Sequence, residues 1–554
     1  MIQKTRKYLI FLILLLATFL RFWRLGDYPA LNADEAAIGY NAYTLIQTGH
    51  DEHGNSWPIH FQSFNDYKPG LYFYLVLPFV KLLGLNEWAV RIPGAFLGVA
   101  TVYLIYLLVK ELFKNHESPV TNHQSLPIIA AFFLAISPWH IHFSRGGWEV
   151  NVATFFIVLG LLLFLKGLNS LPVLMVSFVS FALSFYTYHA ARIIVPLLIL
   201  GLLVIYWKEV KTNFKNIVLT GLVGLVAVLP LIKDLTRTDI YSRAVGVGLF
   251  ADIGPLARIN EQRGEHSDYM SLPAKILHNK AVNYGLAFME NWSAHYHGLF
   301  LFLSGDDIQR NKVPETGQMY LFDFLFVAIG LFYIFKNYSR YTKPYSLILW
   351  WLIIAPSAAA LTFQSPHALR SQNMVIPLTI ISASGMYKIV EWLYTAKQAN
   401  SQRFGFLVLG VLIVWSFSRY LHMYWVHMAK EYPYSSQYGV KELVSFIKQK
   451  QSGYKKVIVT DRYDQPYVLF LFYLKYPPEK FQKDHILTER DGFGFSTVRA
   501  FDKYEFRSIN WDVDKPQNPN SLIIGTNEEV PDEANIIGEI YGTNGYKYFD
   551  VVAN

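Results

Sequence analysis

The run YLIFLILLLATFL, residues 8–20, decides the class of fold, because it contains no charged side chain and similar runs recur along the chain. Of the 554 residues, 53% are hydrophobic and only 16% are charged, against about 25% charged residues in soluble proteins. The mean hydropathy is +0.23, and the chain has no cysteine. These features exclude a disordered chain, a disulfide-stapled module, a thiol enzyme and an ordinary cytosolic enzyme. They predict a polytopic α-helical membrane protein.

The apolar runs predict about eleven membrane spans, since a helix needs roughly 20 residues to cross about 30 Å of hydrocarbon. A further run, 70–84, covers only about 22 Å as a helix, so we predict a juxtamembrane or re-entrant helix there. The predicted spans are 8–24, 92–112, 125–143, 150–167, 171–187, 193–207, 216–233, 319–336, 344–363, 373–392 and 404–421.

The net charge of +8 fits this topology and is not interpreted as a nucleic-acid footprint. If run 70–84 does not cross, the Lys and Arg clusters between spans all fall on one side, which the positive-inside rule makes the cytoplasm. We therefore expect a multi-pass protein of the cytoplasmic (inner) membrane, with its N-terminus inside and its C-terminus outside. The flank Arg21–Arg24 lacks an A-x-A site, which favours an uncleaved anchor over a cleaved signal peptide.

Two domains are predicted: residues 1–427 form the transmembrane domain, with large outside loops at 25–91 and 234–318, and residues 428–554 form a small extracytoplasmic α/β domain. Within the second domain, periodicity predicts one helix, three strands and one segment that fits either. These are a helix at Gln437–Gln451, strands at Lys456–Thr460, Ser521–Gly525 and Ile536–Ile540, and the ambiguous segment Gln465–Leu474.

The first outside loop begins LNADEAAIGYNAYTLIQTGHDEHG, residues 31–54, and places two acids directly after a span. In one interpretation, Asn32 or Asp34 caps a helix that runs through Tyr43. In the other, a carboxylate of Asp34 or Glu35 is a general base towards a hydroxyl acceptor. The two interpretations are compatible.

Cations at the predicted outside face form the second candidate feature. Lys68, in FNDYKPGLYFY (64–74), either reaches along the interface or holds a phosphate at headgroup level. Arg145, Arg192 and Arg370 lie in three separate short outside loops, SPWHIHFSRGGWE, SFYTYHAARIIVP and SPHALRS. Together with Lys68 they predict a convergent anion site.

Histidine pairs and a further acidic turn complete the candidates. His140 with His142, and His295 with His297, lack a third ligand at a diagnostic spacing, so the spacing does not support a metal site. In the turn SGDDIQR, Asp306, Asp307 and Arg310 either contact a sugar or belong to a solvated turn.

In their order along the chain, these motifs resemble the GT-C superfamily of polyprenyl-phosphate-sugar-dependent glycosyltransferases. The resemblance is to the bacterial relatives of protein O-mannosyltransferases and to the lipid A aminoarabinose transferase, and it covers the chain to about residue 425. It rests on DEAAIGYNAY, TGHDEHG, DYKPGLYFY, NEWAVRIPGAFLG, SPWHIHFSR, YTYHAAR and PHALR.

The resemblance implies a role for individual residues. The family's catalytic acid matches Asp34, with Glu35 beside it, and its phosphate-contacting lysine matches Lys68. Arg145, Arg192 and Arg370 match recurrent basic positions, which we expect to bind the donor phosphate. Where many relatives have Lys-Pro-Pro, Gly70 follows Pro69, and where an acid often precedes the lysine, Tyr67 does. We expect the substrate to be contacted by Tyr40, Asp66, His189, Asp306 and Arg310.

The resemblance thus implies an inverting glycosyltransferase that moves a sugar from a polyprenyl-phosphate donor to a hydroxyl of a glycan, lipid or protein at the outer membrane face. No cofactor is expected, although the resemblance leaves metal dependence open. A lipid or sugar transporter is the main alternative, but transporters carry polar residues and broken helices at mid-membrane. A third interpretation makes the protein a membrane anchor for a display or sensor domain.

Overall fold

The computed structural model describes residues 2–64, 66–114, 125–236, 248–395, 398–490 and 496–554. They divide into two compact units that are discontinuous in sequence. The first unit comprises Met1–Arg21, Phe96–Ser144 and Glu149–Leu421, and the second comprises Phe22–Ala95, Arg145–Trp148 and His422–Asn554. The second unit thus contains most of the first outside loop as well as the C-terminal residues, and the contiguous division 1–427 and 428–554 stays a prediction.

Apolar helices dominate the chain before residue 423, and each predicted span falls on a helix or a pair of helices. The α-helices of this part of the chain, apolar and polar together, are Ile2–Phe22, Ala33–Thr48, Leu71–Leu83, Glu87–Phe113, Leu126–Ile136, Pro138–Arg145, Glu149–Gly167, Leu171–Phe185, Ala191–Ile205, Trp207–Thr212, Phe214–Asp234, Gly254–Gly264, Leu272–Leu277, Lys280–Ala294, Leu321–Lys336, Thr342–Ile354, Ser357–Ala360, Val375–Thr395 and Ala399–His422.

Among the described residues, five helices are long and apolar enough to cross a membrane, and a sixth span results if a pair bent by 55° is counted as one. Several other predicted spans lie on shorter helices, so the number eleven stays a prediction. The apolar helices nevertheless make the chain a multi-pass membrane protein. The five are Glu87–Phe113, Glu149–Gly167, Phe214–Asp234, Gln372–Thr395 and Ala399–Glu431, and the bent pair is Leu126–Ile136 with Pro138–Arg145.

Two glycines allow a close contact between two helices of the first unit. A Cβ on Gly385 would collide with the carbonyl oxygen of Phe326, and a Cβ on Gly330 would collide with that of Ile381. The helices Leu321–Lys336 and Val375–Thr395 therefore approach backbone to backbone, as small residues allow within membranes.

An antiparallel hairpin of the second unit is formed by β1, His60–Ser63, and β2, Asp66–Pro69. The remaining strands are β3 Lys456–Val459, β4 Ile486–Leu487, β5 Val498–Phe501, β6 Tyr504–Phe506, β7 Ser521–Gly525, β8 Ile536–Tyr541 and β9 Lys547–Ala553. These seven strands form a separate mixed sheet, in the order β4-β5-β6-β3-β7-β9-β8. Strand β3 is parallel to β6 and β7, and the other pairs are antiparallel.

The α/β character predicted for the C-terminal residues is confirmed. Helix Val440–Lys450 and strands β3, β7 and β8 match the predicted segments, and the ambiguous segment is the helix Pro466–Leu474. Further helices are Met428–Glu431, Pro478–Asp484 and Trp511–Gln517.

The helix Ala33–Thr48 packs closely on its neighbours in the second unit because it contains a glycine where they meet. A Cβ on Gly39 would lie 2.6 Å from Cε2 of Phe472 and 2.7 Å from Cγ2 of Val90. The helix ends at Gly49, whose φ of 74° is the left-handed conformation that glycine adopts without strain. This packing fixes the helix whose first turn carries the two predicted catalytic acids.

Candidate functional site

The helix that carries Asp34 and Glu35 begins with a capping box. The Asn32 side chain accepts a hydrogen bond from the Glu35 amide at 3.0 Å, and a Glu35 carboxylate oxygen accepts one from the Asn32 amide at 3.2 Å. The Ala33 amide donates to the side-chain oxygen of Gln437 at 2.6 Å. The capping interpretation is confirmed for Asn32, and the cap places Asp34 in the first helical turn, where an anion is favourable.

Asp34 and Lys68, predicted from two separate motifs, form an ion pair. The side chain of Lys68 is 8% exposed and that of Asp34 is 26% exposed, so the carboxylate is partly accessible to solvent. Lys68 lies on β2, opposite Phe61 of β1, and its ammonium lies 4.7 Å from the centre of the Phe64 ring. The hairpin thus holds a largely buried cation against a partly open carboxylate.

Glu35 occupies a different environment from Asp34, because both of its oxygens are engaged in a buried network. Arg91 donates to them at 2.6 Å and 2.8 Å, and the Gly147 amide donates at 2.9 Å. The same arginine donates to the carbonyl oxygens of Leu25 and Pro29, both at 2.9 Å. These are the contacts of a carboxylate that holds three chain segments together.

Arg145 is fully buried in the second unit. Its guanidinium donates to the Tyr424 hydroxyl at 2.9 Å and to the carbonyl oxygens of Trp23 and Tyr28 at 2.8 Å and 3.1 Å, and it lies 4.8 Å from the Trp425 ring centre. Contact with a donor phosphate would require the side chain to leave these partners, so its predicted role stays a prediction.

A buried acidic cluster lies in the TGHDEHG motif. The Glu52 carboxyl group accepts from the Ser63 hydroxyl at 2.9 Å, and its second oxygen has no hydrogen-bond partner among the described residues. Burial raises the pKa of Glu52 to about 8 and lowers that of His53 to about 3. Asp51 accepts from the backbone amides of His53 and Asn55, and burial raises its pKa.

Two other predicted substrate contacts belong to the second unit. Tyr40 is fully buried, and its hydroxyl donates to the Tyr476 carbonyl oxygen at 3.0 Å. Asp66 pairs with Ser63 through the backbone of the hairpin, and its side chain lies outside the described part of the structure.

The remaining predicted cations lie in the first unit. Arg192 is half-buried, lies 2.9 Å from Nδ1 of His189 and donates to the Phe185 carbonyl oxygen at 3.3 Å. Arg370 is also half-buried and donates to the Thr362 hydroxyl at 2.7 Å. Both residues therefore keep some exposed surface.

Asp306 is fully buried and connects two loops of the first unit. It accepts from the Ala368 amide at 2.6 Å, from the Ile308 amide at 2.9 Å and from Asn311 at 3.0 Å. Arg310 is half-buried, and its carbonyl oxygen lies 2.8 Å from Nε2 of His142. The contacts of Asp306 are those of a loop anchor, and a sugar contact by Asp306 or Arg310 stays a prediction.

Sequence reasoning assigned no role to two buried charged residues of this region. Arg91 and Glu52 both lie in motifs that carry the family resemblance, yet their chemistry depends on partners far along the chain. A charge embedded in an apolar run, as in AVRIPG, is the signal that points to a buried partner. For metal binding, no group of three or more candidate ligands occurs within the residues that the structure describes.

The fold resembles that of solved GT-C glycosyltransferases, which confirms the predicted resemblance to that superfamily. Residues 67–233 match the family model described as dolichyl-phosphate-mannose-protein mannosyltransferase. No curated protein matches the chain.

Particular solved structures that resemble the chain are membrane glycosyltransferases. ArnT from Cupriavidus metallidurans bound to undecaprenyl phosphate superimposes with a TM-score of 0.52 at 11% identity, over 98% of this chain and 97% of that one. The Archaeoglobus fulgidus oligosaccharyltransferase, in its apo form, superimposes with a TM-score of 0.51 at 14% identity, over 84% of this chain. AglB from the same organism, in complex with an inhibitory peptide and a dolichol-phosphate, gives the same values. The chain spans 63% of the length of the archaeal enzyme.

Proposed function

We propose that this chain is an inverting glycosyltransferase that moves a sugar from a polyprenyl-phosphate donor to an acceptor hydroxyl at the outer face of the cytoplasmic membrane. The observation that carries the proposal is the ion pair between Asp34 and Lys68, which joins a partly open carboxylate to a buried ammonium. The family match, the fold and the undecaprenyl phosphate in the ArnT structure support the donor class.

Asp34 is the general base of this reaction. It takes the proton of the acceptor hydroxyl as that oxygen attacks C1 of the sugar, while the bond between C1 and the phosphate oxygen breaks on the opposite face. The product carries the inverted configuration, and the carrier lipid leaves as its phosphate.

Lys68 neutralises the leaving phosphate. A phosphate leaves as an anion and requires charge stabilisation more than a proton, and a largely buried ammonium provides it without reorganisation. Glu35, predicted as catalytic, acts by positioning the helix through Arg91. The phosphate contacts expected of Arg192 and Arg370 stay predictions.

The test is a transfer assay in proteoliposomes with a labelled undecaprenyl-phosphate sugar and a hydroxyl acceptor. We expect Asp34→Asn to lower the rate about 100-fold or more, and Lys68→Ala to lower it by about 100-fold to 1000-fold. Lys441→Ala is the matched control, because it removes an exposed lysine that pairs with Glu87 in the same unit. Wild-type rates in Asp34→Asn would contradict the base assignment, and label that crosses the bilayer with its sugar–phosphate bond intact would indicate a transporter.

A further inference from the structure

An apolar groove runs between three membrane helices of the first unit, Leu321–Lys336, Val375–Thr395 and Ala399–His422. Its volume is about 450 Å³, and it is lined almost wholly by apolar side chains, from Phe404 at one end to Trp415 at the other. The last helix leaves most of its apolar surface uncovered by protein, with 17% of its span buried.

One end of this apolar groove continues into a second cavity of about 260 Å³, with which it shares Leu321, Trp415 and Ser416. This second cavity is polar at its rim, where Arg419 donates to a carboxylate oxygen of Glu315 at 2.9 Å and to the Glu315 carbonyl oxygen at 2.8 Å. The side chains are 37% and 72% exposed, so both charges remain accessible to a headgroup.

The dimensions fit one lipid chain. The helix between Phe404 and Trp415 rises about 16 Å at 1.5 Å per residue, close to half of the roughly 30 Å hydrocarbon thickness. Arg419 lies about one turn further along the same helix, roughly 6 Å. An acyl chain in the apolar groove would therefore place its headgroup beside the ion pair.

We propose that this groove is a specific site for a zwitterionic glycerophospholipid with a primary ammonium headgroup. The lipid phosphate is positioned to contact Arg419 and its ammonium to contact Glu315, so the charges of headgroup and rim are complementary. A lipid whose headgroup carries only a phosphate would be repelled by the carboxylate of Glu315, which lies beside Arg419. The proposal rests on residues outside the Asp34–Lys68 pair and does not depend on the proposed function.

The test is native mass spectrometry of the full chain in detergent after incubation with phosphatidylethanolamine, phosphatidylglycerol or undecaprenyl phosphate at equal concentration. We expect phosphatidylethanolamine to be retained at least tenfold over the other two, with one bound copy. Arg419→Gln and Glu315→Gln should each reduce this preference to within twofold.

A pair of bulky substitutions tests the location. Val408→Trp fills the groove and should abolish the single bound lipid, whereas Val411→Trp places the same side chain on the same helix at a residue outside the groove and should leave it unchanged. Thermal unfolding of both variants confirms that they fold.

Equal retention of the three lipids would overturn the proposal. An equal loss of the bound lipid in Val408→Trp and Val411→Trp would also overturn it. Preferential retention of undecaprenyl phosphate would instead assign the groove to an anionic carrier lipid and would equally overturn it.

Discussion

At the scale of single residues, the adjacent acids Asp34 and Glu35 differ in how far they are buried and in the groups they contact. Asp34 keeps a partly exposed carboxylate beside Lys68, whereas Glu35 is almost fully buried between Arg91 and the Gly147 amide. The difference follows from helical geometry, since neighbouring positions are rotated by about 100° around the axis. One acid of the pair faces a solvent-accessible space, and the other faces the interior of the unit.

Breaking the buried pair should destabilise the fold. Glu35→Gln leaves the guanidinium of Arg91 buried without a compensating charge, a change that costs about 3–5 kcal/mol. We expect a clear fall in the midpoint of thermal unfolding, measured in detergent. Glu87→Gln, which removes the partner of the exposed Lys441, should cost less than about 1 kcal/mol. An equal fall in the two variants would contradict the structural role of Glu35.

Glu52 should make stability depend on pH. Burial raises its pKa from the ordinary 4.5 to about 8 in the folded protein. The folded state therefore binds the proton more tightly, and the contribution of Glu52 is fully present below about pH 4.5 and is lost as the pH rises through about 8.

We test this pH dependence with Glu52→Gln, which keeps a neutral polar side chain at the same position. Between pH 5 and 9 the melting temperature of the wild type should fall more steeply than that of the variant. Groups distant from Glu52 contribute equally in both proteins, so the difference between the two curves reports Glu52 together with its contact His53. Parallel curves would show that Glu52 is ionised throughout this range.

At the scale of elements, glycines decide how closely the membrane helices approach. The helices Leu321–Lys336 and Val375–Thr395 meet at Gly330 and Gly385, each against a carbonyl oxygen of the other helix. Without a hydrophobic driving force between helices in lipid, such close packing supplies much of the association energy. The hydropathy pattern predicts the two helices but does not predict the contact between them.

Gly385→Ala should therefore separate this helix pair. The added Cβ collides with a backbone carbonyl oxygen, which cannot rotate away as a side chain would, and we expect a loss of about 1–3 kcal/mol. Gly410→Ala is the matched control, since a Cβ there meets no atom within 4 Å, and it should be neutral or stabilising by up to about 1 kcal/mol. Thermal unfolding of both variants distinguishes the collision from a general effect of alanine.

At the scale of the whole molecule, the charge distribution predicts which side of the membrane each segment occupies. Because the chain has no cysteine, single cysteines report accessibility without background. We expect Lys480→Cys, on an exposed residue of the C-terminal part, to react with an impermeant maleimide in right-side-out vesicles. Lys211→Cys, in a predicted cytoplasmic loop, should react only after the vesicles are opened. The reverse pattern would contradict the predicted orientation.

Much of the fold was predictable, because hydropathy, charge and the period of the hydrophobic pattern depend only on residues that are near each other in the sequence. Runs such as 150–167 and 216–233 coincide with helices, and the strand at Ser521–Gly525 is confirmed. The number of spans was less predictable, since several apolar helices are shorter than a bilayer requires. Asp34 and Lys68 were each predicted from their own motif, but their ion pair depends on the hairpin that brings the two residues together.

The sequence by itself determined that this is a multi-pass membrane protein resembling the GT-C glycosyltransferases, because both conclusions depend on local composition and the order of motifs. Only the tertiary structure decided that Asp34 is partly exposed while Glu35 is enclosed by Arg91, and that one oxygen of the buried Glu52 has no hydrogen-bond partner among the described residues. The physical reason is that burial and pairing depend on segments distant in the chain. The run at residues 8–20 indicates that lipid surrounds the helices. The tertiary fold decides which charged side chains are buried inside the protein.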